Sequence, residues 1–472
     1  MRRGWLVAPL VVGLVGFVGQ MGCAKGPLPP LGEIIVYLDT DAPVPPGGGR
    51  APGLTDPAPL FDTLRFDTYE PGASAPCKGC SREFDVDRDK FASQRVSIGV
   101  PARPGTPGYR LRVSLYLHDW LVPCFTLTSD QQSIYADCTN GNALVPHPLA
   151  TISRTLALPV TQEGVLQEVH TFLATEAVGI PDGTIDEPVD VEPGKPPPSQ
   201  ASTWAGGVRH DCTTPARPGE ACVPSGAFWS GNPRAIVFKS TFNIAAYPTP
   251  RLLVVSPFFM KTTEVTVAEC LAEPAACGDP VAKTNFGGLC TINSRWSTKV
   301  PINCTIAPAR DAFCTAWGGT VASAAQLEYV GRGLIGSTFV WGNDLPSCDD
   351  AMWGRANYNE LGPCYTQKQG GGPYPTGLGA RDRLVLPTGT IVDVAGNIQE
   401  HTSDRLGDAC KCQWGAGVLH DPVCKDPSDL NSGVVGGLWA SGPAGMALGE
   451  VGCYPVYFVS ADVGFRCTRP GN

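Results

Sequence analysis

The residues with the most obvious capacity for chemistry are the 19 cysteines in this chain of 472 residues. Cys77 and Cys80 form a C-x2-C motif, and Cys410 and Cys412 form a close pair with Cys424 nearby. Thiolates at these spacings bind soft metals or exchange disulfides in a reducing compartment, whereas in an oxidising one they form structural disulfides. No second C-x2-C completes a zinc site, so we predict structural disulfides for both groups.

The first 23 residues indicate which compartment applies. Two arginines precede an uncharged stretch of 14 residues, which is long enough for a signal peptide and too short to span a bilayer. Cys23 follows a small residue, as at the cleavage site of a bacterial lipoprotein, although Gln20 stands where an aliphatic residue is usual. We predict a signal peptide over 1–22, a lipid on Cys23, a tether over 23–32, and a location in the bacterial cell envelope.

Composition narrows the possible partners. The net charge is −9 and no run of five basic residues occurs, which argues against nucleic acid as a partner. No later stretch approaches 18 apolar residues, so a lipid anchor is the only membrane attachment that we predict. The chain contains 56 glycines and 46 prolines, a content that favours short strands and turns over long helices.

The residues before 207 divide into a run of predicted strands and a predicted linker. Residues 33–175 show strand patterns separated by Pro/Gly clusters, and they predict an antiparallel β-sandwich. The strand segments are 33–38, 63–69, 95–100, 110–117, 151–160 and 165–173. Residues 176–206 are rich in acids and prolines and predict an extended linker.

The remainder, 207–472, has a mixed pattern, so the fold class of the whole chain is α+β. Helical spacing of apolar residues begins at Pro308 and runs to Trp317. Ser323 and Gln326 form a capping box that opens a second helix through Tyr329.

Six motifs in this second part resemble, in order, those of the formylglycine-generating enzyme family, also called the sulfatase-modifying factor family. They are Cys222–Gly231 (CVPSGAFWSG), Ser256–Thr266 (SPFFMKTTEVT), Thr320–Gly333 (TVASAAQLEYVGRG), Val340–Asn343 (VWGN), Asp393–Asp404 (DVAGNIQEHTSD) and Val463–Cys467 (VGFRC). The resemblance covers roughly 222–469 and implies a C-type-lectin-like fold with a twisted antiparallel sheet, two helices and long loops.

The same resemblance implies an activity for which this sequence lacks the residues. Enzymes of the family oxidise a sulfatase cysteine to formylglycine, using a C-x4-C pair of cysteines, with four residues between them, that binds copper. Between Gly436–Trp439 and Gly464–Arg466 this chain has one cysteine, Cys453. We therefore expect neither formylglycine generation nor copper binding. One interpretation makes Cys453 and Cys467 a redox pair, although they are far apart in the sequence. The interpretation we favour is a disulfide that fixes the last strands.

A calcium site is the one family site that the resemblance retains. It implies an ion held by the side chains of Asp393 and Glu400 and by the backbone carbonyls of Gly396 and Ile398, all of which offer hard oxygen ligands. The alternative is that these residues form a turn in which Glu400 pairs with a nearby base. The segment Asp85–Asp89 imitates the start of a calcium-binding loop but lacks its later glycine and glutamate, so we predict a solvated loop there.

Together these features predict an exported, surface-anchored binding protein whose second domain is non-catalytic and takes a carbohydrate or peptide ligand. Four aromatic residues of the region 344–390 either grip that ligand or cover the core: Trp353, Tyr358, Tyr365 and Tyr374. The alternatives are a sulfatase-modifying or other oxidase with an unrecognised site, and a structural role in which the β-sandwich docks onto an envelope assembly.

Overall fold

The computed structural model describes residues 32–50, 56–93, 96–123, 144–232, 249–277, 289–292, 297–355, 362–365, 371–407, 412, 414–426, 428, 430–449 and 451–472. The predicted signal peptide, Cys23 with nearly all of the tether, and Tyr358 lie outside these residues. Within them, no helix has the length and apolar character needed to cross a membrane.

In the described residues of the first part, strands predominate and one short α-helix occurs. The strands are β1 (Gly32–Thr40), β2 (Thr63–Tyr69), β3 (Ser81–Asp85), β4 (Ser97–Ala102), β5 (Arg110–Tyr116), β6 (Leu121–Pro123), β7 (Leu144–Pro146), β8 (Thr151–Ala157), β9 (Leu166–Leu173), β10 (Val189–Asp190) and β11 (Glu192–Pro193); helix α1 is Arg88–Ala92. One large sheet has the order β11-β9-β1-β4 and a second has the order β10-β8-β5-β2-β3, and β6 pairs with β7. Helix α1 begins at Arg88 and so overlaps the end of the segment Asp85–Asp89 that we predicted to be a solvated loop, and Asp87 caps it by accepting the Lys90 N–H.

Alternating apolar side chains of both sheets form one buried cluster, as period-2 patterns require. Leu64 and Phe66 of β2 belong to this cluster together with Ile34 and Val36 of β1. The prediction that all pairing is antiparallel is wrong for β1, which runs parallel to β9 along its whole length. A parallel pair needs a long crossover, and the strands between β1 and β9 in the chain supply it.

Residues 176–206 are not an extended linker. Strand β10 pairs with β8 and β11 pairs with β9, so this segment adds an edge to each sheet. Ala201 and Trp204 are buried in the same apolar cluster, and the Trp204 indole donates to Glu176 Oε1 at 2.8 Å. Asp39 accepts hydrogen bonds from Ser199 and Gln200. The acids and prolines dominate the composition, but a few apolar contacts and side-chain caps hold the segment in place.

The second part contains short strands and helices joined by long connections. The strands are β12 (Glu220–Val223), β13 (Gly226–Ser230), β14 (Arg251–Val255), β15 (Phe258–Lys261), β16 (Thr320–Val321), β17 (Arg383–Leu386), β18 (Gly389–Val392), β19 (Gln399–Leu406), β20 (Leu419–His420), β21 (Asn431–Val435), β22 (Gly452–Pro455), β23 (Val463–Phe465) and β24 (Cys467–Pro470). The helices are α2 (Val267–Ala272), α3 (Pro274–Cys277), α4 (Ala307–Trp317) and α5 (Ala324–Glu328). Its sheets have the orders β12-β15-β24-β16, β13-β14-β20 and β22-β21-β19-β23, and β17 pairs with β18.

Both predicted helices are confirmed. Helix α4 starts with proline in its first turn and is capped after Trp317 by Gly318, whose φ of 94° is a backbone conformation that favours glycine. Ser323 and Gln326 make both hydrogen bonds of the capping box at the start of α5. The helical path then continues in one wide turn, Tyr329–Gly333.

Strand β13 belongs to the cores of both parts. Phe228 points into the cluster of the second part, whereas its neighbours Ala227 and Trp229 lie in the cluster of the first. The Trp229 indole donates to the Leu60 carbonyl at 2.7 Å, and its ring packs edge-on against Phe61 at 5.6 Å between centroids. Because successive side chains of a strand point to opposite faces, one strand can serve two cores.

Candidate functional site

The turn after β18 and the start of β19 contain the predicted calcium ligands. Asp393 has a φ of 54°. Asp382 holds the turn by accepting the backbone N–H groups of Val394, Ala395 and Gly396 at 2.8–3.2 Å. Asn397, also left-handed with a φ of 70°, donates from its amide to Glu264 Oε1 at 3.1 Å. The turn therefore brings three carboxylates from separate segments to one buried place.

Arg466 lies at the centre of this group and is fully buried. It donates two hydrogen bonds to Glu400 Oε1, at 2.7 and 3.0 Å, and one to Glu400 Oε2 at 3.2 Å. It also donates to the backbone carbonyl of Asp393 at 3.3 Å and lies 4.0 Å from Glu264 Oε2. One guanidinium therefore faces four buried carboxylates, which we call the acidic cluster: Glu264, Asp382, Asp393 and Glu400.

The acidic cluster carries more negative charge than Arg466 can balance. Burial, aided by the charge of Asp382, raises the pKa of Asp393 to about 7. Burial also raises the pKa of Asp382 to about 6 and that of Glu264 well above its usual range. Asp393 Oδ1 and Glu264 Oε2 are buried and make no hydrogen bond within the described residues. Such groups are costly to bury, so a proton or a cation must compensate them.

A protein-family model settles the relationship that the motifs indicated. The model described as the sulfatase-modifying factor enzyme 1-like domain matches residues 207–470, more than half of the chain. The chain belongs to this family. A comparison with the curated proteins finds no match.

Several solved structures are similar to about half of this chain. PvdO from Pseudomonas aeruginosa is 18% identical, with 53% of this chain and 94% of that chain covered and a TM-score of 0.39. Variable protein 1 of Treponema denticola is 13% identical, with 54% and 99% covered and a TM-score of 0.37. CarF is 14% identical, with 53% and 97% covered and a TM-score of 0.33.

The cysteines of the sulfatase-modifying factor domain are structural wherever the structure describes them. Cys453, the one cysteine in the stretch where enzymes of the family have their copper-binding pair, is in a disulfide. Cys467 bonds to Cys314 and ties β24 to α4, so a redox pair or disulfide between Cys453 and Cys467 is wrong. The predicted structural disulfides are confirmed for Cys77–Cys80 and Cys412–Cys424. The other described bridges are Cys212–Cys222, Cys270–Cys277, Cys290–Cys304 and Cys348–Cys364.

Some of the predicted calcium ligands are available to a cation, and others already make hydrogen bonds within the protein. Asp393 Oδ1 suits a hard ion, since it is a buried carboxylate oxygen without a hydrogen bond in the described structure. Both oxygens of Glu400 accept from Arg466, which is the pairing with a base that we gave as the alternative. The Gly396 carbonyl accepts the Ile398 N–H at 3.0 Å. Among the described residues, no group of three or more His, Cys, Asp or Glu side chains forms a metal-binding arrangement.

Sequence reasoning missed three members of this site. Glu264 and Arg466 both lie inside family motifs, so the motifs themselves were the available signal. Asp382 lies in no motif, and only the fold brings its carboxylate to the amides of the turn.

The predicted aromatic residues are mostly parts of the core. Trp353 and Tyr374 are buried, and Arg355 lies over the Tyr374 ring at 5.7 Å. Only Tyr365, of the three that the structure describes, is partly exposed. Trp353 and Tyr374 therefore cover the core, which was one of the two predicted roles, and are not exposed for stacking on a ligand.

Proposed function

We propose that this chain is an exported, surface-anchored binding protein whose sulfatase-modifying factor domain does not catalyse oxidation. The observation that carries the proposal is the state of the cysteines: every cysteine among the described residues is in a disulfide. Copper chemistry needs thiolates that are free to bind the ion. Disulfides form in oxidising compartments, which supports export. Cys23 would carry the lipid, and the ligand would be a carbohydrate or peptide at the cell surface.

The proposal predicts that the purified full chain has no reactive thiol in its mature domains and no oxidase activity. Thiols would be counted with a chromogenic reagent under denaturing conditions. The chain would then be loaded with Cu(I) and incubated with a peptide carrying a sulfatase cysteine, and the peptide mass would be followed. A reduced and refolded sample serves as the positive control for thiol detection. Conversion of the cysteine to formylglycine would overturn the proposal and favour the oxidase alternative.

We also propose that calcium binds at the turn from Asp393 to Glu400. The excess of buried carboxylates over Arg466 supports this, because a cation placed beside Asp393 Oδ1 would compensate that charge. Asp393 and the carbonyls of Gly396 and Ile398 would hold the ion, and Glu400 would join them by giving up Arg466. Calcium would supply rigidity to the turn and take no part in a reaction.

Calcium is therefore expected to raise the melting temperature by about 5 °C when its concentration is a hundred times the dissociation constant. The measurement is a thermal scan in calcium and in chelator. Asp393→Asn should abolish the shift, whereas Asp186→Asn, at an exposed position of the first part, should leave it intact. Equal melting temperatures of the unmodified chain in calcium and in chelator would remove the site.

A further inference from the structure

A cavity of about 320 Å³ lies where the two parts of the chain meet. Its volume is at the lower end of the ~300–1,000 Å³ typical of small-molecule sites, which often lie at domain interfaces. Leu60 lines it from the first part, and Trp229 of β13 and Ile335 line it from the second. Ile335 is 43% exposed, so this apolar part of the lining can be reached from solvent. None of the residues that line the cavity belongs to the acidic cluster.

Asp62 and Asp119 bring two carboxyl groups to the lining of this cavity. Asp62 Oδ1 accepts the His118 N–H at 2.7 Å and the Thr63 hydroxyl at 2.8 Å. Asp62 Oδ2 accepts no hydrogen bond from the described residues, and it is not sealed from solvent because Asp62 is only partly buried. Burial raises the pKa of Asp62 and the charge of Asp119 adds to the rise, so the ionised carboxylate lacks full compensation.

The basic and amide groups of the lining are already used by the protein. Arg332 is the one lysine or arginine among the described residues that line the cavity, and it donates to the Trp229 carbonyl at 2.7 Å and to Glu328 Oε1 at 2.8 Å. The Asn232 amide donates to two backbone carbonyls, at 3.1 and 3.4 Å. The His118 ring is exposed, and one of its nitrogens can accept a hydrogen bond. The lining therefore suits a cation better than an anion.

The lining also favours an organic cation over a metal ion. Among the described residues, no group of three or more His, Cys, Asp or Glu side chains converges on a point, so Asp62, Asp119 and His118 do not form a metal site. Much of the remaining lining is apolar, with Leu60 and Ile335 as examples, and a hydrocarbon chain packs against such a surface better than a hydrated ion does.

We propose that this cavity binds a primary ammonium group on an aliphatic chain, an inference that rests on the proposed binding function and gives its ligand a site. The ammonium group donates up to three hydrogen bonds and supplies the positive charge that Asp62 lacks. The aliphatic chain packs against Leu60 and Ile335. A lysine side chain of a peptide ligand presents this chemistry, and a free alkylamine presents it too.

The test is saturation-transfer NMR on the full chain, with pentylammonium and Nα-acetyl-lysine methylamide as separate probes. The matched neutral compounds are 1-pentanol and the Nε-acetylated form of the lysine probe, which keep the chain and lose the charge. Both ammonium probes are expected to bind, and both neutral compounds are not. Binding of pentylammonium without the lysine probe would support the site and assign it a free amine as ligand.

Variants of the cavity then test where the probes bind. Asp62→Asn keeps the Oδ1 acceptor and removes the charge, so it is expected to weaken binding about tenfold or more. Ile335→Lys adds an ammonium group to the lining and should weaken binding about as much, whereas the neutral Ile335→Gln should cost less than about threefold. Asp186→Asn, at an exposed position outside the cavity, should bind like the unmodified chain. Melting curves show whether each variant is folded.

Three results would overturn the inference: neither ammonium probe binds, the neutral compounds bind as well as the ammonium probes, or the folded Asp62→Asn and Ile335→Lys variants both bind as tightly as the unmodified chain. The proposed function fails on a different result, conversion of the sulfatase peptide. Absence of ammonium binding without peptide conversion therefore removes this site and leaves the proposed function standing.

Discussion

Replacing Trp229 with alanine is expected to destabilise both parts of the chain together, by about 3–5 kcal/mol in the free energy of unfolding. The side chain is 4% exposed, packs edge-on against Phe61 and Trp120, and donates to the Leu60 carbonyl. Its loss opens a cavity and leaves that carbonyl without its donor. The measurement is urea unfolding followed by circular dichroism and by tryptophan fluorescence.

A matched control is available on the surface. Tyr457 is 72% exposed, so Tyr457→Ala removes an aromatic ring without opening a cavity and is expected to change stability by less than about 0.5 kcal/mol. Trp229→Phe should fall between the two, since it keeps much of the packing and loses the hydrogen bond. If Trp229→Ala lowered the stability of the second part alone, the two cores would be independent and the role given to β13 would be wrong.

Replacing Arg466 with methionine is expected to cost about 3–5 kcal/mol, because breaking a buried ion pair leaves an uncompensated charge. Arg466 makes three hydrogen bonds to Glu400 and is the guanidinium that faces the acidic cluster. Without it, Glu400 and Asp393 would face each other's charge in a buried environment. The free energy of unfolding in urea, measured at fixed calcium concentration, gives the size of the effect.

A double variant separates charge from packing. Arg466→Met combined with Glu400→Gln removes both members of the pair, and we expect it to recover a substantial part of the lost stability. In the double variant, packing of uncharged side chains would take the place of the buried ion pair. If the double variant were as unstable as the sum of the two single changes, the pairing of Arg466 with Glu400 would contribute nothing and the cost would be one of packing.

The local elements were predictable because their causes are local. Alternation in 63–69 predicted strand β2, and the hydroxyl of Ser323 with the amide of Gln326 predicted the start of α5. The parallel direction of β9 was not predictable, since a strand shows the same side-chain alternation whichever way it runs. Cysteine pairing was hidden for a similar reason: the spacing of thiols does not fix which of them meet.

The candidate site shows more clearly which residues could not be predicted from the sequence. Asp393 and Glu400 were found because they share one motif, but Glu264, Asp382 and Arg466 come from three other segments. Their charges are buried only because those segments converge, and no single segment carries that information. Trp229 was quoted inside a motif, yet its position in the core of the first part depends on how that part folds against β13.

The strand shared by the two cores also has a consequence for the order of folding under the export that we propose. A chain that crosses a membrane from its N-terminus presents residues 32–206 first, but the core of this part includes Trp229 and Leu252. The first part therefore reaches the far side without its last buried side chains. Its folding would be complete only when the opening strands of the second part have arrived, so a chain exported in this way would depend on protection from aggregation during the interval between these events.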